Sequence, residues 1–320
     1  MQKKSKISYL ANPFVWIVFA ILMVYALTLI AMLVWGLMTS FKSTDEFKIF
    51  GNVIGFPKPE YDDGKALKFQ NYISILKSFS FYTEDESYIS AFFGKVSNPS
   101  VEVNFGTLLF NSFVYSILGA FFQTLTCLVV AFMCQKYKFK FSEFLYVLTL
   151  IVMTIPIVGA FPSTLTILRD LALYDSYLGM IVINVQFGGV YFFVFYAFCQ
   201  GIPNTYMEAA EIDGASQLTV FIRVILPLCA NVFGTVFLIN FITLWNDYQT
   251  PLLYYPNHPT LAYGVFSMST QTLNPNVQKG AWDTPQKVAA CMMLALPLIT
   301  LFIIFRNKIL GDVSMGGLKE

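Results

Sequence analysis

The stretch EAAEIDGASQLTVFIRVILPL, Glu208–Leu228, decides the fold: it sets a helix, a glycine stop and a second helix directly before an apolar run. Met207, Glu208, Ala209, Ala210 and Glu211 all favour helix, and Pro203, Asn204 and Thr205 supply a start signal upstream. Gly214 ends it, because glycine takes the left-handed conformation that closes a helix without steric cost. A second short helix then leaves at an angle through Phe221 toward Pro227. The expected product is an elbow lying at a membrane surface.

Working outward, the rest of the chain reads as membrane protein. Hydrophobic residues make up 56% of it and charged residues only 12%, outside the balance of a soluble domain. The apolar residues fall into six blocks: Phe14–Leu37, Leu108–Cys134, Phe144–Phe161 broken by Pro156, Leu178–Cys199, Ile225–Trp245 and Val288–Phe305. At 1.5 Å per residue each reaches across roughly 30 Å of hydrocarbon. The expected fold is an all-α membrane protein with six transmembrane helices. The first block is too long for a removed signal peptide and is expected to stay as a span.

Orientation follows from Lys and Arg in the short flanks. Lys3, Lys4, Lys6, Lys136, Lys138, Lys140, Arg223, Arg306, Lys308 and Lys319 fall on one side, against Arg169, Lys279 and Lys287 on the other. The richer side is expected to be cytoplasmic, which puts both termini and the elbow inside. Thr39–Gly106, between the first two spans, is too long for a plain connection and should carry structure. Its lysines do not disturb the count, since long translocated segments escape the rule. Turn residues cluster at Gly55, Pro57, Pro59 and Asp62–Gly64, and Phe69–Phe81 can form a short amphipathic helix.

Several chemistries are absent from the pattern. Cys127, Cys134, Cys199, Cys229 and Cys291 lie in or beside apolar blocks at spacings that fit neither a disulfide framework nor zinc. His258, the single histidine, sits near prolines in an outer loop and reads as a surface residue. The sequence has no phosphate-binding glycine loop ending in Gly-Lys-Ser/Thr and no nucleophile beside a plausible base. It therefore carries no ATPase site of its own, and no cofactor or metal is expected on it. If transport is active, its energy must arrive through another polypeptide. The elbow is the available contact, able to present Tyr206, Ala209, Ala210 and Ile212 to a groove. Ionisable groups are almost missing from the spans, which disfavours an ion-coupled secondary transporter, and no inverted repeat is visible.

Polar groups inside spans should face protein or a water-filled path. Asn184, Gly188 and Tyr191 fall on one helical face of the fourth block, and Phe233, Phe237, Asn240 and Leu244 on one face of the fifth. Amides with aromatic rings suit a sugar; equally, amides tie helices together in bundles. Asn246–Pro285, after the fifth block, holds Asn257, Pro259, Asn274, Pro275 and Asn276 and reads as a polar turn region.

Glu208, Ala209, Ala210, Gly214, Val224, Leu226 and Pro227 match in order and spacing the EAA loop of ATP-binding-cassette (ABC) import permeases. The wording EAAEIDGAS resembles the carbohydrate-uptake branch. NYISIL at Asn71, FNS at Phe110, TIPIVGAFPSTL at Thr154, YDSYLGMIVIN at Tyr174 and LWNDYQTPLL at Leu244 extend the resemblance over most of the chain. It is similar above all to the second membrane subunit of maltose-type transporters, with a glycine-rich tail, here GDVSMGGLKE.

That resemblance implies a type I importer permease of a bacterial plasma membrane, in a heterodimer with a second permease. Two ATPase subunits that bind ATP and Mg, an extracellular solute-binding protein and membrane lipid complete the expected partners; nucleic acid is not among them. Glu208 would bond near the rim of the ATPase groove, Ala209 and Ala210 would allow close approach, and Gly214 would let two short helices bend as one lever. The implied divisions are 1–38 for the N-terminus and first span, 39–106 for the external loop, 107–306 for the permease core with its EAA loop at 202–227, and 307–320 for the tail. The tail either reaches an ATPase interface or frays. Residues at about Ser78–Asn104 exceed the family pattern, as a local cap or as a docking surface. For Asn246–Pro285 the resemblance implies, in place of a plain turn region, a loop that probes the binding protein's cleft. A carbohydrate, in particular an oligosaccharide, is the implied cargo, with polyol, amino acid or peptide as the alternatives.

Overall fold

The structure, a computed structural model, describes residues 13–59, 67–78, 81–83, 101–137, 140–155, 159–270 and 282–313. Contacts divide the chain into two units, residues 1–78 with 271–296, and residues 79–270 with 297–320.

In the first unit, α1 (Pro13–Ser40) begins on proline, whose missing N–H costs nothing at a first helical position. Side chains from Phe14 to Leu33 point outward, and burial starts only at Gly36, Thr39 and Ser40. Asn71 closes the helix end by donating to the carbonyls of Ser40 and Lys42, both at 2.9 Å. Lys42 is fully buried and donates to Asn52 O at 2.7 Å and Val53 O at 3.1 Å. Desolvation lowers its pKa, opposed by the nearby Glu46 carboxylate. Glu46 lies in α2 (Thr44–Lys48), whose first turn is capped by Ser43, and it accepts from Asn52 Nδ2 and Lys58 N. The amphipathic stretch appears as α3 (Gln70–Ser78). The segment after Thr39 thus carries structure, with Lys42 and Glu46 both buried and each satisfied by its own hydrogen bonds, and with Ile75 buried as well.

The second unit opens with a departure from purely helical structure: β1 (Phe81–Thr83) pairs antiparallel with β2 (Val101–Val103), Tyr82 opposite Glu102. Then follow α4 (Phe105–Lys136), α5 (Lys140–Thr154), α6 (Ala160–Asp170), α7 (Tyr177–Val182), α8 (Val190–Gly201), α9 (Thr205–Ile212), α10 (Gln217–Leu228), α11 (Ala230–Trp245), α12 (Gln249–Tyr254) and α13 (Leu261–Thr270). The last helix, α14 (Thr284–Val313), carries Pro297 at the boundary between the units. α4 is the axis of the core: Cys127, Leu128, Ala131 and Phe132 pack with Phe192, Phe195 and Cys199 of α8 and with Val236 of α11. Gly119 brings α11 close, since a Cβ there would lie 2.8 Å from Leu244 Cδ1.

Among the described residues three helices are long and apolar enough to cross a membrane: Pro13–Ser40, Phe105–Lys136 and Thr284–Phe305. α10 and α11 meet the same length and apolarity only when taken as one pair, which is bent by 77° at Cys229, and Phe141–Thr154 and Val190–Gly201 are shorter apolar helices. The fourth block is not the single helix its composition suggests. It breaks between Val182 and Val190, where Gly189 takes a φ of 113°. Asn184 and Tyr191 therefore do not share a helical face.

Gly179, in the YDSYLGMIVIN match, has a steric reason: a Cβ there would sit 2.1 Å from the Leu173 carbonyl oxygen. Gly179→Ala is expected to cost about 1–3 kcal/mol. Thermal unfolding of the purified chain in detergent checks this, with Gly201→Ala, where a Cβ meets open space, as the unchanged control.

Lys3, Lys4, Lys6, Lys65, Pro156, Lys138, Asn274, Pro275, Asn276, Lys279 and Lys319 lie outside the described residues, as do most of the extra stretch and the tail beyond Val313.

Candidate functional site

The elbow forms as its local chemistry dictates. α9 ends in a Schellman motif: Ala215 N donates to Ala210 O at 2.9 Å and Gly214 N to Glu211 O at 3.0 Å, with Gly214 at φ 80°. Nothing lies near a Cβ built at Gly214, so the backbone angle alone demands glycine there. Ser216 then caps α10, its Oγ accepting from Thr219 N at 3.3 Å. A π turn at Phe221–Ile225 carries α10 to Pro227, and the 77° bend follows. Asn204 does not cap α9 as its position suggests. Its Oδ1 accepts from Lys136 Nζ at 3.0 Å, and the same ammonium donates to Ile202 O at 2.6 Å.

One face of the elbow is anchored and the other is free. Met207, Val220, Ile225 and Cys229 are buried in the α4–α8 core. Tyr137 OH donates to Gln217 Oε1, and Gln217 Nε2 donates to Glu211 Oε1 at 2.8 Å, so both elbow helices are tied to the end of α4. Tyr206, Glu208, Ala209 and Ile212 face outward, Ala210 is half-buried, and Ile212 is 86% exposed. Tyr206 and Ile212 are thus large side chains left outside the packing of the described residues, with the small Ala209 between them. Ala210, Asp213, Gly214, Ser216, Thr219 and Arg223 are among the residues lining a cavity of about 590 Å³ in the crook of the elbow.

At the other end of α4 the matched motifs converge. Asn111 donates to Pro259 O at 3.0 Å and accepts from Tyr177 OH at 2.8 Å, while Ser112 Oγ accepts from Leu261 N at 2.6 Å. Tyr115 OH donates to Asp247 Oδ2 at 2.8 Å. His258 belongs to this knot and is not a simple surface residue: its ring stands edge-on to Tyr177 at 4.4 Å and its Nδ1 lies 3.1 Å from Asp175 Oδ1. Asp175 also accepts from Asn257 N and Nδ2. Asn111 and Lys136 are ~37 Å apart along the helix axis. The knot and the elbow thus stand further apart than the thickness of a hydrocarbon core.

Of the residues expected on a pathway, Asn184 is buried and donates to Met180 O at 2.8 Å, beside Gly119. Asn240 is buried and donates to Thr124 Oγ1 at 3.0 Å, tying α11 to α4. Phe237 packs on Phe241, and Tyr191 is half-buried against the core. The fifth-block face of Phe233, Asn240 and Leu244 is a helix interface, because it meets Phe121, Thr124 and Gly119 of α4. The break itself was not anticipated. It exposes Gln186 and Gly188 at mid-block, and the Gly188–Gly189 pair within an apolar run is its only local signal.

Residues 127–311 match the family model described as binding-protein-dependent transport system inner membrane component. The diacetylchitobiose uptake system permease protein of Streptomyces coelicolor is 24% identical over 300 residues, 93% of this chain and 86% of that one. The arabinooligosaccharides transport system permease protein of Bacillus subtilis is 27% identical, covering 68% and 76%. The sn-glycerol-3-phosphate transport system permease protein of Pectobacterium atrosepticum is 28% identical, covering 63% and 70%. A chain from the crystal structure of a bacterial ABC transporter involved in the import of the acidic polysaccharide alginate shares the fold, with a TM-score of 0.67 at 19% identity over 93% and 97% of the two chains.

Proposed function

The chain belongs to the family of binding-protein-dependent transport system inner membrane components, and from that premise we propose that it is one permease of an ATP-driven carbohydrate importer in a bacterial plasma membrane. The observation that carries this reading is the elbow: an anchored inner face, a free outer face with Tyr206, Ala209 and Ile212, and a glycine-locked turn between. Two ATPase subunits would seat the outer face, with Glu208 at the rim of the groove and ATP with Mg bound on their side. A second permease would complete the path, and an external solute-binding protein would deliver the cargo. Lys136 and Arg223 lie at the elbow end, which supports a cytoplasmic elbow and cytoplasmic termini.

The mechanism follows from the anchors. When the ATPase pair closes, α9 is displaced, and the Schellman turn passes that displacement to α10 because it fixes the angle between them. Val220, Ile225 and Cys229 then press on α4 and α8, while the bend at Cys229 redirects the motion into α11. Six spans in the assembled protein remain our reading of the blocks. Tyr191 and Phe237 are the side chains we assign to the path, with Asn240 tying α11 to α4 and Asn184 packed beside Gly119 of α4. The diacetylchitobiose and arabinooligosaccharide relatives favour an oligosaccharide as cargo, and the sn-glycerol-3-phosphate relative keeps a small polyol ester as the second reading.

The assembled complex in sealed vesicles tests this. With receptor and labelled oligosaccharide outside, uptake should require ATP on the elbow side, stop with ADP, and survive dissipation of proton and sodium gradients. Uptake with ADP that follows an ion gradient would overturn the reading.

A further inference from the structure

The cavity in the crook of the elbow is unusual in its charges. Asp213 and Arg223 both line it, yet they do not pair with each other, and among the described residues neither side chain has a hydrogen-bond or ion-pair partner. The hydroxyl-bearing Ser216 and Thr219 complete a polar wall. Both are solvent-exposed, so the crook presents one anion and one cation, each unpaired among the described residues, to whatever lies against it. A ligand carrying both charges pairs with each of them, whereas an anion alone meets Asp213 as a like charge and a cation alone meets Arg223 as one.

Position says where such a ligand comes from. α10 bends 77° from α11, so with α11 crossing the membrane α10 lies nearly in its plane. Leu218 and Ile222, four residues apart, are 69% and 50% exposed on α10, while Thr219 and Arg223, also four apart, face the cavity. This is the pattern of an interfacial helix, with aliphatic side chains in the acyl boundary and a basic side chain at headgroup level. We propose that the cavity binds the headgroup of a zwitterionic aminophospholipid, its phosphate on Arg223 and its ammonium on Asp213. The lipid fills the space behind the turn that sets the lever angle, so its presence stiffens the elbow. The proposal does not depend on the cargo or on the energy source.

The test is lipid retention by the purified assembly in nanodiscs made from equal parts phosphatidylethanolamine, phosphatidylcholine and phosphatidylglycerol, read by native mass spectrometry. Wild type should retain phosphatidylethanolamine about tenfold over either competitor, the size expected for one charge-assisted bond that a competitor cannot make. Asp213→Asn and Arg223→Gln should each abolish the preference, and Arg223→Lys should keep it. Equal retention of the three lipids by wild type overturns the proposal. So does preference for phosphatidylglycerol, which leaves Asp213 without a role. Loss of the ATPase subunits in Arg223→Gln with unchanged lipid retention would also overturn it, by assigning the cavity to a protein partner.

Discussion

Gly214→Pro is expected to leave the chain inserted and to cut ATP-driven uptake about a hundredfold. Proline fixes φ near −65° and cannot take the 80° found at Gly214, so the Schellman turn is lost outright. The Gly214 N–H that bonds to Glu211 O disappears with it. A left-handed position denied and a hydrogen bond removed amount to ~3 kcal/mol, or about a hundredfold in the population of the observed elbow angle. The core contacts of Met207, Val220 and Ile225 lie on the helices themselves, so membrane insertion and assembly should persist. ATP hydrolysis should continue without uptake. Gly214→Ala strains the same φ but keeps the N–H, and should fall between the two. Uptake at the wild-type rate in Gly214→Pro would remove the lever from the mechanism.

The second large effect concerns Ile212. Its side chain is 86% exposed at the tip of α9, so the packing of this chain does not account for it. Seating an isoleucine in a groove contributes ~2–3 kcal/mol. An aspartate in its place adds the cost of desolvating an unpaired carboxylate. Ile212→Asp should thus weaken binding of the ATPase subunits by about a thousandfold, measured by titrating them onto the reconstituted permease pair. Tyr206→Phe should bind as wild type, because the Tyr206 ring supplies the contact area and its hydroxyl has no partner among the described residues. Undiminished affinity in Ile212→Asp would move the contact away from α9.

How much of this could be read from residues alone depends on how local the determining signal is. The elbow was legible because each part is set within a few positions: helix formers before Gly214, a positive φ at Gly214, Ser216 as cap and Pro227 before the bend. α1 and α4 were legible from the length of their apolar runs. The break at Gly189 was not, because glycine inside an apolar run serves close packing as readily as unwinding, and Gly119 and Gly189 look alike in sequence. Helical spacing placed Asn240 with Phe233 and Leu244 correctly, but spacing cannot say whether a face meets water or α4. The Asn240 bond to Thr124 answers that for its own side chain. The knot of Asn111, Tyr177, Pro259 and Leu261 joins positions far apart in the chain, so no local pattern announces it. His258 reads as a surface residue from sequence for the same reason, since its partners Asp175 and Tyr177 lie in another part of the chain.

The central claim is that α9 is where an outside ATPase takes hold. A photo-activated crosslinker at Ile212, in the assembled complex with and without ATP, tests it most directly. A crosslink to an ATPase subunit is expected in both states, lost when the probe is moved to the buried Val236 of α11. A probe at Ile212 that captures only lipid or the second permease would contradict it.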